Sequence, residues 1–247
     1  MKKIGIVGGV GWPSTLEYYQ SICEASQNYH ADKVFSGPVP MPEIAIESLN
    51  LNFSINNRGS SEPGSWDVWE EYFNRAIRRL EISGAEIIAI ASVTPHTRLK
   101  EISTGIKTNI LSVYSAIGQY CNILGIGRML VLGTMPTMTS TAFILSMEKF
   151  GVKVCYPPEH GQKNEVVDII GRLYQHKIQG TAHSIEQIVR QCVPEKEFDD
   201  TVVCLGCPEL PLAFENFQGK TRFEAQGITY INSSAVNAKA IFEACVS

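Results

Sequence analysis

Two short segments of the sequence carry side chains that can move protons. Cys207 follows the apolar run 201–205, and Ser92 follows the apolar run 86–91. A cysteine near helix N-termini ionises more readily than an ordinary thiol, and the thiolate is a good base. A serine hydroxyl can donate a proton from the other side of a bound molecule. One such group on each side predicts proton transfer at a tetrahedral carbon.

Cys204 and Cys207 also have the C-x-x-C spacing that occurs in zinc and redox sites. Zinc requires two more ligands at similar spacing, which the remaining Cys and His residues do not offer. A redox pair is expected at a helix N-terminus, whereas the alternation of a strand places Cys204 in the core. The sequence therefore predicts no metal site and one reactive thiol. In the other segment, the spacing of Ser92, Thr94 and His96 is also typical of a turn before a capped helix. His96 and Thr134 are expected only to assist the proton transfer.

The glycine-rich segment 5–11 suggests a dinucleotide site at first sight. A dinucleotide fingerprint aligned on Gly9 and Gly11 requires glycine where Ser14 stands, and it requires an acid about 20 residues later at the end of the second strand. The second strand is predicted to end at Ser48 and Leu49, well beyond that spacing. We therefore expect no nucleotide cofactor. A tight turn before a helix still offers backbone N–H groups to an anion such as a carboxylate.

These segments lie where strands are predicted to end in an α/β fold. Continuous apolar runs that alternate with helical patterns are typical of parallel sheets covered on both faces. Gly8 and Gly133 each close the first strand of one half, and Ser92 and Cys207 each follow a later strand. We predict two similar Rossmann-like or flavodoxin-like lobes with mostly parallel sheets, related by a pseudo-two-fold axis, with the active site in the cleft between them. Residues 1–111 with 221–247 are expected to form the first lobe, including a last strand at 227–231, and residues 112–220 the second.

Composition restricts the class of partner. The 247 residues carry 21 Lys and Arg against 25 Asp and Glu, a net charge of −4 without a basic stripe. This pattern excludes a typical nucleic-acid binder and favours a small-molecule partner. No apolar run approaches the roughly 18 residues of a membrane span, and the first residues do not read as a signal peptide. Seven scattered cysteines do not suggest a disulfide framework, so a cytoplasmic protein is expected.

Several motifs, in order along nearly the whole chain, resemble the aspartate/glutamate racemase family of cofactor-independent, two-lobed enzymes. They are the segments 4–12 with Ser14, Thr15, Tyr18 and Tyr19; 92–96; 131–134 with Thr137 and Met138; 205–210; and 231–233 with Asn237 and Ala238. No single motif is specific, whereas the ordered set is.

The resemblance implies a fold, a reaction and a set of site residues. Family members use one acid/base group per lobe on either side of Cα of an acidic amino acid, need no cofactor and are commonly homodimers. The second-lobe base corresponds to Cys207 and the first-lobe group to Ser92. The remaining substrate-binding positions correspond to Val10, Arg58, Val93, Thr94, Lys163, Pro208 and Glu209.

The sequence departs from the family pattern at three of these positions. Val93 stands where the family has Asn, and Pro208 stands where it has Thr, which removes one N–H and one hydroxyl from the carboxylate site. Ser92 must accept a proton in one direction, and a hydroxyl without a partner base is a poor acceptor. His96 or a water is expected to assist. Two alternatives stay open: a single-cysteine decarboxylase or isomerase of a small dicarboxylate, and a non-catalytic small-ligand-binding protein.

Overall fold

The apolar runs of the sequence form two separate sheets. The computed structural model describes residues 1–60, 62–217 and 219–247. It contains two compact units, one made of Met1–Ser112 with Asn237–Ser247 and the other of Val113–Val236. Both are mixed α/β structures with mostly parallel strands, as predicted.

The first unit has a four-stranded parallel sheet in the order β2-β1-β3-β4. Its strands are β1 Ile4–Gly8, β2 Ile44–Ser48, β3 Ile87–Ile90 and β4 Asn109–Ile110. Its helices are α1 Trp12–Tyr29, α2 Leu51–Asn56, α3 Asp67–Ile82 and α4 Leu99–Ile102, with a 3-10 helix at Thr94–Arg98. β1 and β3 are central and adjacent, so the residues that follow them share one edge of the sheet.

Both faces of this sheet are buried, which explains why its central strands are apolar throughout. On one face, Val7, Ile88 and Ile90 form a core with the apolar side of α3, which includes Trp69 and Phe73. A second core covers the opposite face; it contains Ile4, Ile6, Tyr18, Ile22, Ile241 and Phe242. Burying each large apolar side chain contributes about 1.5–3 kcal/mol, so both cores hold the strand ends in place.

The second unit has a five-stranded sheet in the order β6-β5-β7-β9-β8, in which only β8 is antiparallel. Its strands are β5 Arg128–Leu132, β6 Lys153–Cys155, β7 Val202–Leu205, β8 Arg222–Ala225 and β9 Ile228–Asn232. Its helices are α5 Val113–Ile123, α6 Met135–Met138, α7 Thr141–Glu148, α8 His160–Tyr174 and α9 Thr181–Cys192; short 3-10 helices lie at Glu195–Glu197, Leu210–Ala213 and Glu215–Phe217. β5 and β7 are adjacent in this sheet.

The prediction that the last strand returns to the first lobe is wrong. β9 pairs with β7 in the second sheet, with Tyr230 opposite Val203. β8 and β9 form a hairpin whose two-residue turn, Gln226 and Gly227, has positive φ at both positions (55° and 74°), as a type I′ turn requires. This hairpin keeps β9 beside β8. The chain therefore passes to the first unit within the last helix, α10 (Ser233–Val246), after Val236 instead of at residue 221.

Sequence patterning missed the short helix α2 inside the polar segment 50–66. Asn50 caps it, because its Oδ1 accepts a hydrogen bond from the Phe53 N–H at 3.0 Å. In the parts of the chain that the structure describes, no helix is both long enough and apolar enough to span a membrane.

Candidate active site

Cys207 lies directly after β7, where the sequence placed it. Gly206 precedes it and donates its N–H to the Leu132 carbonyl at 2.7 Å, which continues the pairing of β7 with β5. A Cβ at Gly206 would lie 3.0 Å from that carbonyl oxygen, so the close approach favours glycine. Cys207 is 2% exposed and belongs to the core of the second unit. Burial shields the thiol from bulk water.

The Cys207 thiol has a carboxylate partner two residues away. Its Sγ donates a hydrogen bond to Glu209 Oε2 at 3.0 Å, and Glu209 is itself buried. A thiolate beside an ionised carboxylate at this distance would be strongly repelled. This geometry therefore allows Cys207 to become a thiolate when its proton moves to the carboxylate of Glu209.

Cys204 differs from Cys207 in its surroundings. It lies within β7, is fully buried, and its burial raises the pKa of its thiol. This agrees with the prediction of a core residue. Within residues 1–60, 62–217 and 219–247, no three His, Cys, Asp or Glu side chains are grouped so that they could hold a metal ion.

Ser92 lies two residues past the end of β3, in a tight turn. Its N–H donates to the Ile90 carbonyl at 2.8 Å. Val93 and Thr94 follow, and Thr94 begins the 3-10 helix in which Pro95 is an early residue. Ser92, Val93 and Thr94 are all buried. Ser92 thus occupies the same place relative to its sheet as Cys207 does in the second unit.

His96 is a poor candidate for the base that assists Ser92. It is 3% exposed, and burial lowers the pKa of its imidazole to about 3, with an interaction at the Ile90 backbone opposing the shift. The ring is neutral near pH 7, and a base with so low a pKa accepts a proton weakly. Thr134 lies in the second unit after β5, with its Oγ1 3.1 Å from Thr137 Oγ1.

The glycine-rich turn after β1 is shaped by Gly9. Its φ is +73°, and a Cβ there would lie 2.1 Å from the Leu49 carbonyl oxygen. Its N–H donates to Thr15 Oγ1 at 2.9 Å. Val10 packs its side chain into the α3-side core of the sheet, so a substrate contact by Val10 would use its backbone. α1 starts at Trp12 with Gly11 as N-cap, and Ser14 lies in its first turn.

Arg58 follows α2 and carries a buried donor. Its Nε is buried and has no hydrogen-bond partner among the described residues. α2 is held to α3 because Trp69 Nε1 donates to Ser54 Oγ at 3.2 Å. The Trp66 ring leaves no room for a Cβ at Gly59, with 2.4 Å between them. A buried guanidinium N–H without an acceptor favours binding of an anion at this position.

Lys163 lies in the first turns of α8, which begins with a capping box formed by Glu159 and Gln162. α8 packs against the 3-10 helix Leu210–Ala213 that follows Cys207, through the core shared by Val166 and Leu210. Lys163 is half-buried. The structure thus places Lys163 on an element next to the Cys207 segment.

Within each unit the predicted residues gather at the carboxyl ends of neighbouring parallel strands, where α/β sheets bind ligands. In the first unit these are Val10 after β1, Arg58 beyond β2, and Ser92, Val93, Thr94 and His96 after β3. In the second unit they are Thr134 after β5, Lys163 beyond β6, and Cys207, Pro208 and Glu209 after β7.

Sequence reasoning missed the polar side chains that hold these strand ends from behind. Ser14 Oγ donates to the Ala91 carbonyl at 2.8 Å, and Ser233 Oγ donates to the Leu205 carbonyl at 2.7 Å. Both are buried residues on helices. The sequence signal for such residues is a small polar side chain on the apolar face of a helix, where an apolar side chain is expected.

Comparison with known proteins places the chain in a family. Residues 7–241 match the family model for Asp/Glu/hydantoin racemases. An aspartate racemase homologue from Pyrococcus horikoshii OT3 is 28% identical, with a TM-score of 0.73 over 100% of both chains.

Two further solved structures share the fold at lower identity. An aspartate racemase from Picrophilus torridus is 17% identical, with a TM-score of 0.72 over 99% of this chain and 94% of that one. A glutamate racemase from Francisella tularensis in complex with D-glutamate is 16% identical, with a TM-score of 0.62 over 98% and 80% of the chains. The matched length and the shared two-sheet fold agree with the resemblance seen in the motifs. The chain belongs to the Asp/Glu/hydantoin racemase family.

Proposed function

We propose that this protein is a cofactor-independent racemase of an acidic amino acid, with aspartate and glutamate as the substrates to test first. The observation that carries the proposal is the buried Cys207–Glu209 pair, in which a thiol at a strand end has a carboxylate 3.0 Å away. Membership of the racemase family and the 28% identity to an aspartate racemase homologue support the same reaction.

The first step of the proposed mechanism creates a base. The thiol proton of Cys207 moves to Glu209, which leaves a thiolate and a neutral carboxylic acid. The thiolate then takes the proton from Cα, and the electron pair of the C–H bond moves into the substrate carboxylate. Because the proton stays within the pair, the buried site never holds two adjacent negative charges.

The second step returns a proton from the opposite side. Ser92 donates its hydroxyl proton to the other face of Cα, which inverts the configuration, while a water molecule returns a proton to the Ser92 oxygen. The extra proton on the Cys207–Glu209 pair passes to solvent as the product leaves. Negative charge on the substrate carboxylate is greatest between the two steps, so donors fixed at that carboxylate stabilise the transition state by about 3 kcal/mol each. We assign this role to Arg58, Thr94 and Lys163, with the backbone at Val10, Val93 and Pro208 lining the site.

Ser92 is the weaker of the two groups. In the reverse direction it must accept the Cα proton, and the low pKa of His96 makes that imidazole an ineffective helper. We propose that, as Ser92 accepts the proton from Cα in this direction, its own hydroxyl proton passes to a water molecule. The expected consequence is that proton transfer at the Ser92 face is slower than at the Cys207 face.

We also propose that the protein acts in the cytoplasm as a homodimer, as the family resemblance of its motifs implies. All seven cysteines carry free thiols, which fits a reducing compartment. Light scattering after gel filtration measures the oligomeric state, and a monomer at all concentrations contradicts this part of the proposal.

The test of the function is chiral chromatography of L- and D-aspartate and L- and D-glutamate after incubation with the metal-free, cofactor-free protein. We expect one pair to racemise from both sides, and Cys207→Ala to abolish the reaction. Cys204→Ala, a cysteine of the same strand outside the proposed chemistry, is the matched control and retains it.

Other outcomes point to the alternatives. Turnover of a dicarboxylate that persists in Ser92→Ala, without racemisation of amino acids, indicates single-cysteine chemistry. A ligand that raises the melting temperature without any turnover indicates a binding protein. Full activity of Cys207→Ala contradicts the mechanism.

A further inference from the structure

Three polar side chains lie buried behind Ser92, on the sheet face otherwise packed with aliphatic residues. They are Ser14 and Tyr18 of α1 and Asn237 of α10, each no more than 1% exposed. We call these three residues the Ser92 support. Tyr18 belongs to the apolar core that also contains Ile22 and Ile241. Polar groups in such surroundings are destabilising unless they are hydrogen-bonded, so their bonds indicate why they are there.

The bonds of the Ser92 support converge on the two residues that precede Ser92. Ser14 Oγ lies 2.8 Å from the Ala91 carbonyl oxygen and 2.9 Å from the Gly11 carbonyl oxygen, and its one proton is shared between these two acceptors. The Tyr18 hydroxyl faces the Ile90 carbonyl at 3.5 Å, a long and weak contact. Ser14 and Tyr18 are four residues apart and therefore share one face of α1. The pairing of β3 with β1 ends at the Ile90–Ala91 peptide, whose N–H donates to the Val7 carbonyl at 2.9 Å, so the Ala91 carbonyl is the first one beyond the ladder.

Asn237 fixes the Tyr18 hydroxyl. Its Nδ2 donates to the Tyr18 oxygen at 2.8 Å. Its Oδ1 is buried and accepts no hydrogen bond from the described residues. A half-satisfied, fully buried amide lowers stability. Fold stability alone therefore does not account for an asparagine at this position.

The Ile90 carbonyl connects the Ser92 support to Ser92 itself. It accepts the Ser92 N–H at 2.8 Å across a two-residue turn, so a rotation of the Ile90–Ala91 peptide turns Ser92 with it. A proton donor must lie within about 3–3.5 Å of the reacting carbon, and a displacement of about 1 Å can lower a rate by about 100-fold. Small changes in this backbone therefore alter proton transfer by Ser92.

We propose that the Ser92 support positions the Ser92 hydroxyl for proton transfer at one face of Cα. This inference rests on the proposed function, because it assigns the three residues to one half of that reaction. They do not touch the substrate and act through the backbone of Ile90 and Ala91. The second unit has a comparable contact, since Ser233 Oγ holds the Leu205 carbonyl two residues before Cys207.

Exchange of the Cα hydrogen with solvent separates the two faces. The equilibrium constant between enantiomers is one, so kcat/KM for racemisation is the same in both directions and cannot report an asymmetric defect. The rate of exchange of the Cα hydrogen in D₂O can differ between the enantiomers, because a proton can leave and a deuteron can return at the same face with retention of configuration. The initial loss from each pure enantiomer, followed by NMR, reports removal of the proton at one face.

The experiment compares Tyr18→Phe and Ser14→Ala with the wild type. Cys207→Ser first identifies the enantiomer whose Cα–H faces the thiol, as the one whose exchange is lost. In both variants we expect exchange of the other enantiomer to slow by about 3- to 100-fold, with exchange at the Cys207 face nearly unchanged. Ser233→Ala is expected to produce the opposite bias.

Tyr156→Phe is the matched control for a lost tyrosine hydroxyl. Its OH donates to the Ser140 carbonyl at 2.8 Å in the second unit, so its removal should lower the melting temperature without changing the ratio of the two exchange rates. If Tyr18→Phe and Ser14→Ala are folded and keep the wild-type ratio, the support is only structural and the inference is wrong. If the wild type exchanges neither enantiomer of any tested amino acid, the proposed function is itself refuted and the inference falls with it.

Discussion

Replacing Glu209 with glutamine tests how the buried thiol becomes a base. The amide keeps the shape of the side chain but cannot take the thiol proton. In the wild type, a thiolate next to an ionised Glu209 at 3.0 Å would carry a repulsion of about 5–6 kcal/mol at an effective dielectric of about 20. The proton must therefore move within the pair, and the wild-type rate should vary little with pH around neutrality.

In Glu209→Gln the thiol can ionise only by releasing its proton to water. Loss of a positioned base lowers rates by about 100- to 10,000-fold, equivalent to about 2.7–5.5 kcal/mol. The remaining rate should follow the thiolate fraction, rising about tenfold per pH unit until the ordinary thiol value of about 8.5. Between pH 7 and pH 8.5 the thiolate fraction, and with it the rate of the variant, should therefore rise about 15-fold.

The assay is the pH profile of kcat for the racemised substrate between pH 6 and 9. Glu186→Gln removes a carboxylate from the same unit, where it pairs with Arg190 on α9, and should keep the wild-type profile. A Glu209→Gln enzyme with the wild-type rate at pH 7 and a flat profile would refute the idea that the carboxylate receives the thiol proton.

Three further predictions concern the turn, the buried imidazole and the anion site. Gly9→Ala should lower the free energy of unfolding by at least about 2 kcal/mol, because Gly9 has φ +73° and no room for a Cβ. The melting temperature should fall by about 4–8 °C. Gly37→Ala is the control and should melt like the wild type, because the space around Gly37 is open. His96 has a pKa of about 3 when folded against 6.5 when unfolded, so its contribution to stability is complete above about pH 6.5 and is lost as pH falls toward 3. At pH 5 the free energy of unfolding should be about 2 kcal/mol lower for this reason. Urea unfolding should show this decrease in the wild type and in the control His183→Gln, but not in His96→Gln. Arg58→Gln should raise KM by about 10- to 100-fold, with Arg58→Lys restoring only part of the affinity, since lysine lacks the guanidinium fork; unchanged KM in both variants would remove Arg58 from the site.

Local apolar pattern was enough to predict the strands that carry the site. β1, β3, β5 and β7 are continuous apolar runs that end at glycine or at small polar residues, and the sheets bury these strands on both faces. The partner of β9 was not predictable in the same way, because an apolar run does not state which sheet it joins. The two-residue turn at Gln226 and Gly227 fixes only the pairing of β8 with β9, and the pairing of β9 with β7 places both strands in the second sheet.

The site was predictable to the level of residue identity but not of contacts. Cys207 and Ser92 follow from strand ends and from the family motifs. The burial of Cys207 and the low pKa of His96 depend on the packing of several elements and leave no trace in local sequence. The contact of Asn237 with Tyr18 joins residues 219 positions apart, which only the folded chain reveals.

The most direct test of the central claim is Cα–H exchange by the wild-type enzyme in D₂O with each enantiomer of aspartate and glutamate. Racemisation by the proposed mechanism requires that both enantiomers of one amino acid lose their Cα hydrogen and that deuterium appears at Cα of the product enantiomer. The mechanism further predicts that Cys207→Ser loses the exchange of one enantiomer entirely. Exchange in neither enantiomer of either amino acid, by folded protein, would contradict the proposed racemase.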